Sequence, residues 1–127
     1  MVFSMDGVIA PLKELNDICM RYQALLYLDE AHSTGVLGNG RGTLAHFNME
    51  PKPWMIQMGT FSKAFASFGA FLSGSTEIVQ WAVNNARSFI YSTALPSCII
   101  AASMAALELI EGNTDLIRKL WENRQNR

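Results

Sequence analysis

Two strand-length apolar runs, each ending in residues that carry chemistry, constrain this chain more than any other feature. Ala24-Leu25-Leu26-Tyr27-Leu28 is almost continuously apolar, the pattern of a strand covered on both faces in a parallel sheet. It ends in Asp29, and His32 follows in a turn closed by Gly35. The second run, Trp54-Met55-Ile56-Gln57, leads into Gly59-Thr60-Phe61-Ser62-Lys63-Ala64. Helical patterns alternate with these strands, which predicts an α/β fold with a mostly parallel sheet flanked by helices. In open sheets of this kind ligands bind beyond the carboxyl ends of the strands. Asp29, His32 and Lys63 are all placed there.

The other segments supply the supports. Pro11 opens a helix, as proline favours the first helical turn. Leu12, Leu15, Ile18, Cys19 and Tyr22 recur at helical spacing as its buried stripe, with Lys13, Glu14, Asn16 and Asp17 on the other face. Glycines 35, 38, 40 and 42 make a surface loop that includes Arg41, read as structural or interfacial; His46 reads as an ordinary surface or packing histidine. Pro51 and Pro53 bracket a turn. Residues 65–74 form a loop running into a further strand, and Thr76 is the expected N-cap of a helix with Ile78, Val79, Ala82, Val83 and Ala86 inward. Phe89 to Pro96 reads as a short strand ending in the hydroxyls of Ser92 and Thr93. Cys98 to Ile110 reads as a helix buried on most sides and ended by Gly112, after which Asn113-Thr114-Asp115 caps a last helix.

Composition narrows the function classes. Half of the chain is hydrophobic and 17% is charged, a globular balance. The net charge is -1 with no basic cluster, which argues against nucleic acid or an anionic membrane as partner. No apolar stretch approaches the ~20 residues of a membrane span, and the first residues do not read as an export signal. Cys19 and Cys98 lack ligand spacing and read as reduced, buried thiols of a cytoplasmic protein.

Lys63 is flanked by apolar residues on both sides, so its amine is expected near the interior. A partly desolvated lysine has a depressed pKa and serves as a nucleophile, as Schiff-base lysines do. The hydroxyls of Thr60 and Ser62 suit an anion such as a phosphate. An aspartate at a neighbouring strand end is what pyridoxal phosphate needs to keep its ring nitrogen protonated. The run Asp29-Glu30-Ala31-His32 also occurs in helicases, where acids hold magnesium beside a phosphate-binding loop. That loop needs G-x-x-x-x-G-K-[ST], and the sequence contains no such run.

Asp29-Glu30-Ala31-His32-Ser33-Thr34-Gly35, Gly40-Arg41-Gly42-Thr43 and Gly59-Thr60-Phe61-Ser62-Lys63-Ala64 together resemble the α-oxoamine synthases, over residues 3–122. These enzymes have an aminotransferase-like (fold type I) architecture and depend on pyridoxal 5'-phosphate. They condense an amino acid with an acyl thioester and release carbon dioxide. The resemblance implies that Lys63 holds the cofactor and acts as the acid/base group. It also implies that Asp29 pairs with the ring nitrogen, His32 with the phenolic oxygen, Thr60 with the phosphate, and that Ser4 helps fix the ring. Ser92 matches a position that reaches the phosphate in the neighbouring subunit, so a homodimer is implied for the full-length protein. Small molecules, an amino acid and an acyl thioester, are the implied substrates. Softer positions (residues 33–38, 46–47, 57–59 and 87–90) lean to the member that uses L-alanine and a pimeloyl thioester. Sister enzymes using glycine or serine are the alternative. Family members are longer at both ends, so residues 1–127 correspond to part of the large domain, with the N-terminal part and the C-terminal small domain absent. The family's ring-stacking histidine and its substrate-carboxylate arginine fall outside the matching segment, so a chain of this extent is expected to be inactive alone.

Overall fold

A computed structural model describes every residue except Asn113, Asn126 and Arg127. In chain order it contains α1 (Leu12–Tyr22), β1 (Leu26–Asp29), α2 (Thr43–His46), β2 (Met55–Thr60), β3 (Ala70–Ser73), α3 (Thr76–Asn85), α4 (Arg87–Ile90), α5 (Ser97–Gly112) and α6 (Thr114–Gln125). The strands form a sheet of order β1-β2-β3. β1 and β2 are parallel, with Leu26 opposite Met55 and Asp29 opposite Met58. β3 joins antiparallel, with Thr60 opposite Ala70. The α/β class and the parallel pairing of the two apolar runs are as the sequence predicts, and the third strand makes the sheet mixed.

The core lies on one side of β1. Leu12, Leu26, Leu28, Leu44 and Met55 are buried together, with Leu15, Cys19, Phe47, Met49 and Trp54 packed against them. Full burial of each such aliphatic side chain contributes about 2 kcal/mol. α1 is tied to the turn before β2 by the Trp54 indole, which donates to Asn16 Oδ1 at 3.3 Å. Its C-terminus closes with Gln23 in the left-handed region (φ 52°), while the Ala24 N–H reaches Cys19 O at 2.9 Å.

Several expectations are corrected. β1 alternates buried and exposed rather than being covered on both faces: Tyr27 is 52% exposed, because no described element packs on that side. For the same reason Ile18 and Tyr22 leave the stripe of α1 and lie exposed. Residues 89–96 are not a strand, since α4 takes Arg87–Ile90 and the remainder is irregular. The N-cap of α3 is Ser75, whose Oγ accepts from Ile78 N; Thr76 is the first helical residue. α5 has the predicted extent, but among its described side chains only Ser103 is buried, and Ile100, Met104, Leu107 and Leu109 face outward. Both cysteines are free; Cys19 is half-buried and Cys98 exposed rather than buried. The cap expected at Asn113 lies outside the described residues. No described helix is long and apolar enough to cross a membrane.

Glu30 is the main polar element of the core. It is 3% exposed, and its Oε2 accepts from both the N–H and the hydroxyl of Thr43 at 2.9 Å. Its Oε1 lies 3.5 Å from the Met1 ammonium group. A carboxylate thirteen residues upstream therefore caps the first turn of α2 and folds residues 31–42 back onto the end of β1. Losing an ionised acceptor that serves two buried donors costs about 3 kcal/mol. Glu30→Ala is expected to lower the unfolding free energy by about that amount, while Thr43→Ser, which keeps both donors, stays within about 1 kcal/mol of the unsubstituted chain. Urea denaturation monitored by tryptophan fluorescence checks both, and a loss below about 1 kcal/mol for Glu30→Ala would show that this network carries little of the stability.

Candidate active site

β1 and β2 run side by side in the same direction, so Asp29 and Thr60 finish their strands at the same end of the sheet. Adjacent strands lie ~4.8 Å apart, which places the segments that follow them within side-chain reach of each other. The ladder continues one step past β1, with Glu30 N donating to Met58 O at 2.7 Å. Side-chain parity then separates the two acids. Leu26, Leu28 and Glu30 point into the core, and Tyr27 and Asp29 point out. Asp29 Oδ1 accepts from Ala31 N at 2.9 Å, an Asx-type turn that fixes the carboxylate at the strand end. His32 is exposed in the turn that follows.

The second half of the site is the loop from Phe61 to Gly69, which is closed at its base. Phe61 N donates to Gly69 O at 2.9 Å, and Ser67 N donates to Phe61 O at 2.8 Å. Thr60 Oγ1 lies 2.9 Å from Gly69 O, to which it donates, and accepts from Ser62 N at 3.2 Å. Ser62 Oγ is 2.7 Å from Thr60 Oγ1, so the two hydroxyls form one polar cluster at the start of the loop. Lys63 stands at the outer part of this loop. Contrary to the sequence expectation its side chain is exposed, and among the described residues it makes no ion pair. The apolar flanks that predicted burial are used elsewhere. Met55 and Phe65 are buried, but the loop turns the intervening lysine outward.

The two halves meet at a glycine. Gly35 has φ +81°, and a methyl group built on it would fall 2.6 Å from Ala64 Cβ and 3.7 Å from the Phe65 ring. Only a residue without a side chain allows the Asp29–Gly35 turn to lie this close to the residue after Lys63. Ser4, by contrast, sits exposed in the turn of a small N-terminal hairpin bridged at Val2 and Ile9. Ser92 follows α4 and donates its hydroxyl to Ser88 O. Thus Asp29, His32, Thr60 and Lys63 are organised by adjacent strand ends, while Ser4 and Ser92 lie on separate segments.

Sequence reasoning missed Glu30 and the pair Ser67 and Ser103. For Glu30 a signal was available: period-2 parity from Leu26 and Leu28 puts residue 30 inside and residue 29 outside. No local pattern marks Ser67 or Ser103, whose hydroxyls meet at 2.8 Å across 36 positions of sequence.

Gly35→Ala combines a left-handed backbone with a steric overlap, and is expected to destabilise the chain by about 2–3 kcal/mol. Chemical denaturation gives the magnitude, and amide exchange of residues 61–69 shows whether the lysine loop loosens with it. Wild-type stability in this variant would mean that the two halves are not held by this contact.

Comparison with known proteins agrees with this geometry. The 8-amino-7-oxononanoate synthase of Acidithiobacillus ferrooxidans is 49% identical over 126 residues, covering 98% of this chain and 32% of that protein. The crystal structure of 8-amino-7-oxononanoate synthase from Francisella tularensis superimposes with a TM-score of 0.82 at 36% identity, covering 96% of this chain and 36% of that one. A structure of SPT with its PLP internal aldimine superimposes with a TM-score of 0.87 at 31% identity, over 96% of this chain and 31% of that one. The chain thus spans about a third of the length of the curated relatives it matches. Residues 1–126 match the family described as aminotransferase class I and II, and the chain belongs to that family.

Proposed function

We propose that residues 1–127 form the cofactor-binding part of the large domain of an α-oxoamine synthase, a pyridoxal-phosphate-dependent acyltransferase. In its finer form the reaction joins L-alanine to a pimeloyl thioester with loss of carbon dioxide, giving 8-amino-7-oxononanoate. The observation that carries this reading is the placement of Asp29 and of the Thr60–Lys63 segment at the same end of two paired parallel strands, joined through the Gly35–Ala64 contact. The names of the A. ferrooxidans and F. tularensis relatives support the finer form. The likeness to SPT, at a TM-score of 0.87 and 31% identity, supports a sister enzyme using serine or glycine as the second reading.

The donor set fits pyridoxal phosphate. A carboxylate, an amine with no ion pair among the described residues and a cluster of hydroxyls lie at one sheet end, matching in kind the ring nitrogen, the carbonyl and the phosphate. When bound, the cofactor supplies an electron sink for the pair left at the α-carbon of the amino acid. Asp29, oriented by the Ala31 N–H, holds the proton on the ring nitrogen. His32 hydrogen-bonds the phenolic oxygen, Thr60 with Ser62 beside it takes the phosphate, and Ser4 helps fix the ring. Lys63 would hold the cofactor through its amine, and the exposed loop gives that amine room to take a proton from the α-carbon of the amino acid. Ser92 serves the phosphate of a second copy. Exposed Trp81, Phe89 and Tyr91, at 67%, 64% and 79%, lie on the segments leading to it and support a homodimer.

The test is borohydride reduction of the chain after exposure to pyridoxal phosphate, followed by peptide mapping. A stable adduct is expected on Lys63 and absent in Lys63→Ala, with Lys13, Lys52 and Lys119 labelled only weakly. Equal labelling of all four lysines would overturn the assignment. Turnover of alanine with a pimeloyl thioester is expected only when segments like those flanking the matching third of the relatives are present. There Lys63→Ala should lower kcat by about 10³-fold or more.

A further inference from the structure

We propose that the hydroxyl pair Ser67–Ser103 positions Lys63, by latching the loop that carries it onto α5. This rests on reading Lys63 as the cofactor-holding amine. Ser67 Oγ lies 2.8 Å from Ser103 Oγ and 3.3 Å from Ile99 O, and Ser103 Oγ lies 3.0 Å from Ile99 O. Each hydroxyl has one proton, so the three contacts resolve into two donations. One hydroxyl donates to the Ile99 carbonyl and the other donates to its partner. Ser103 can keep its bond to the Ile99 carbonyl within α5, so it is Ser67 that gains these partners only when the loop is docked on the helix.

The placement makes this junction specific. Ser103 is 8% exposed and is the most buried side chain on the face of α5 that it shares with half-buried Ile99, Ala106 and Ile110. It therefore faces the lysine loop. On the loop side, Ser67 follows Ala66, which has φ 48°, a left-handed conformation that costs a residue with a side chain about 1 kcal/mol. The strained turn is closed by Ala66 N donating to Lys63 O at 3.0 Å. Ser67 thus fixes the far side of the turn that begins at Lys63, while buried Phe65 fixes its middle. α5 begins at Ser97, five residues after Ser92. The same latch sets Lys63 relative to the segment that offers Ser92 to a second copy, so Ser67 and Ser103 are positioning residues rather than catalytic ones.

The test uses the full chain with Ser67→Ala, Ser103→Ala, the double variant and Ser67→Thr, which keeps a hydroxyl. Amide exchange read by NMR at Ala66 and Ser67 is expected to quicken about five- to tenfold in Ser67→Ala, the loss of one hydrogen bond, and less in Ser103→Ala, which leaves Ser67 its longer bond to the Ile99 carbonyl. The double variant should match Ser67→Ala, because the two hydroxyls act as a unit. Ser67→Thr should restore wild-type protection. Borohydride capture of pyridoxal phosphate provides the second readout. The share of label on Lys63 relative to Lys13, Lys52 and Lys119 should fall in the alanine variants and recover in Ser67→Thr, which a general loss of stability would not produce. Unchanged exchange and an unchanged Lys63 share in both single variants would overturn the latch, as would effects that simply add. Altered exchange with no preference for Lys63 even in the unsubstituted chain would leave the latch as a loop anchor. That outcome would overturn its role in positioning a cofactor amine, and the cofactor reading with it.

Discussion

The architecture depends on one buried carboxylate. Glu30 accepts two hydrogen bonds from Thr43, itself fully buried, and so joins the end of β1 to the start of α2. Between these points the chain makes a compact glycine loop, with Gly35 N donating to Gly40 O and Gly42 N donating to Leu37 O. A methyl on Gly42 would fall 2.8 Å from Glu30 Oε2, so the backbone has to approach the carboxylate bare. A half-satisfied acid at this depth would be strongly unfavourable, and a satisfied one selects a single path for the loop. The acid next to it, Asp29, is exposed because alternation along an extended strand permits only one of two neighbours to turn inward. Placement of the outward acid is thus a consequence of burying the inward one.

Lys63 is held by different means. Its loop has no buried ion pair and is closed by backbone bonds at its base, by Phe65, and by hydroxyls at Thr60, Ser62, Ser67 and Ser103. Such contacts are individually modest, about 1 kcal/mol each, and several act together across a strained turn at Ala66. The loop thus combines exposure at Lys63 with anchoring on either side.

Much of this was legible in the sequence, and the failures share a cause. The two apolar runs specified paired parallel strands, because local hydrophobicity is a local property. The expectations for Tyr27, for α5, for Cys98 and for Lys63 all read apolar neighbours as burial. Burial depends on what packs against a residue, and on these faces the described residues supply too little cover, so Tyr27, Ile100 and Met104 stand exposed. The 89–96 segment failed differently: Phe89, Ile90 and Tyr91 have β-forming side chains, yet α4 closes there through Ile90 N bonding to Ala86 O and Tyr91 N to Arg87 O. The Ser67–Ser103 contact could not be read at all, since a bond across 36 positions leaves no trace in local pattern.

Exposed apolar surface and the candidate site are therefore parts of one design. The face that lacks cover includes the outward side of β1, the outer side of α5 and the segment from Trp81 to Leu95. The candidate residues organised least by this chain, Ser4 and Ser92, lie in the exposed N-terminal turn and within that segment. Asp29, Thr60 and Lys63, organised most, are joined through the sheet end and the contact between Gly35 and Ala64. The central candidate groups are fixed by the sheet while the outer ones stand beside uncovered apolar side chains, so the strand ends that place Asp29 and the Lys63 loop do not depend on how that apolar surface is covered.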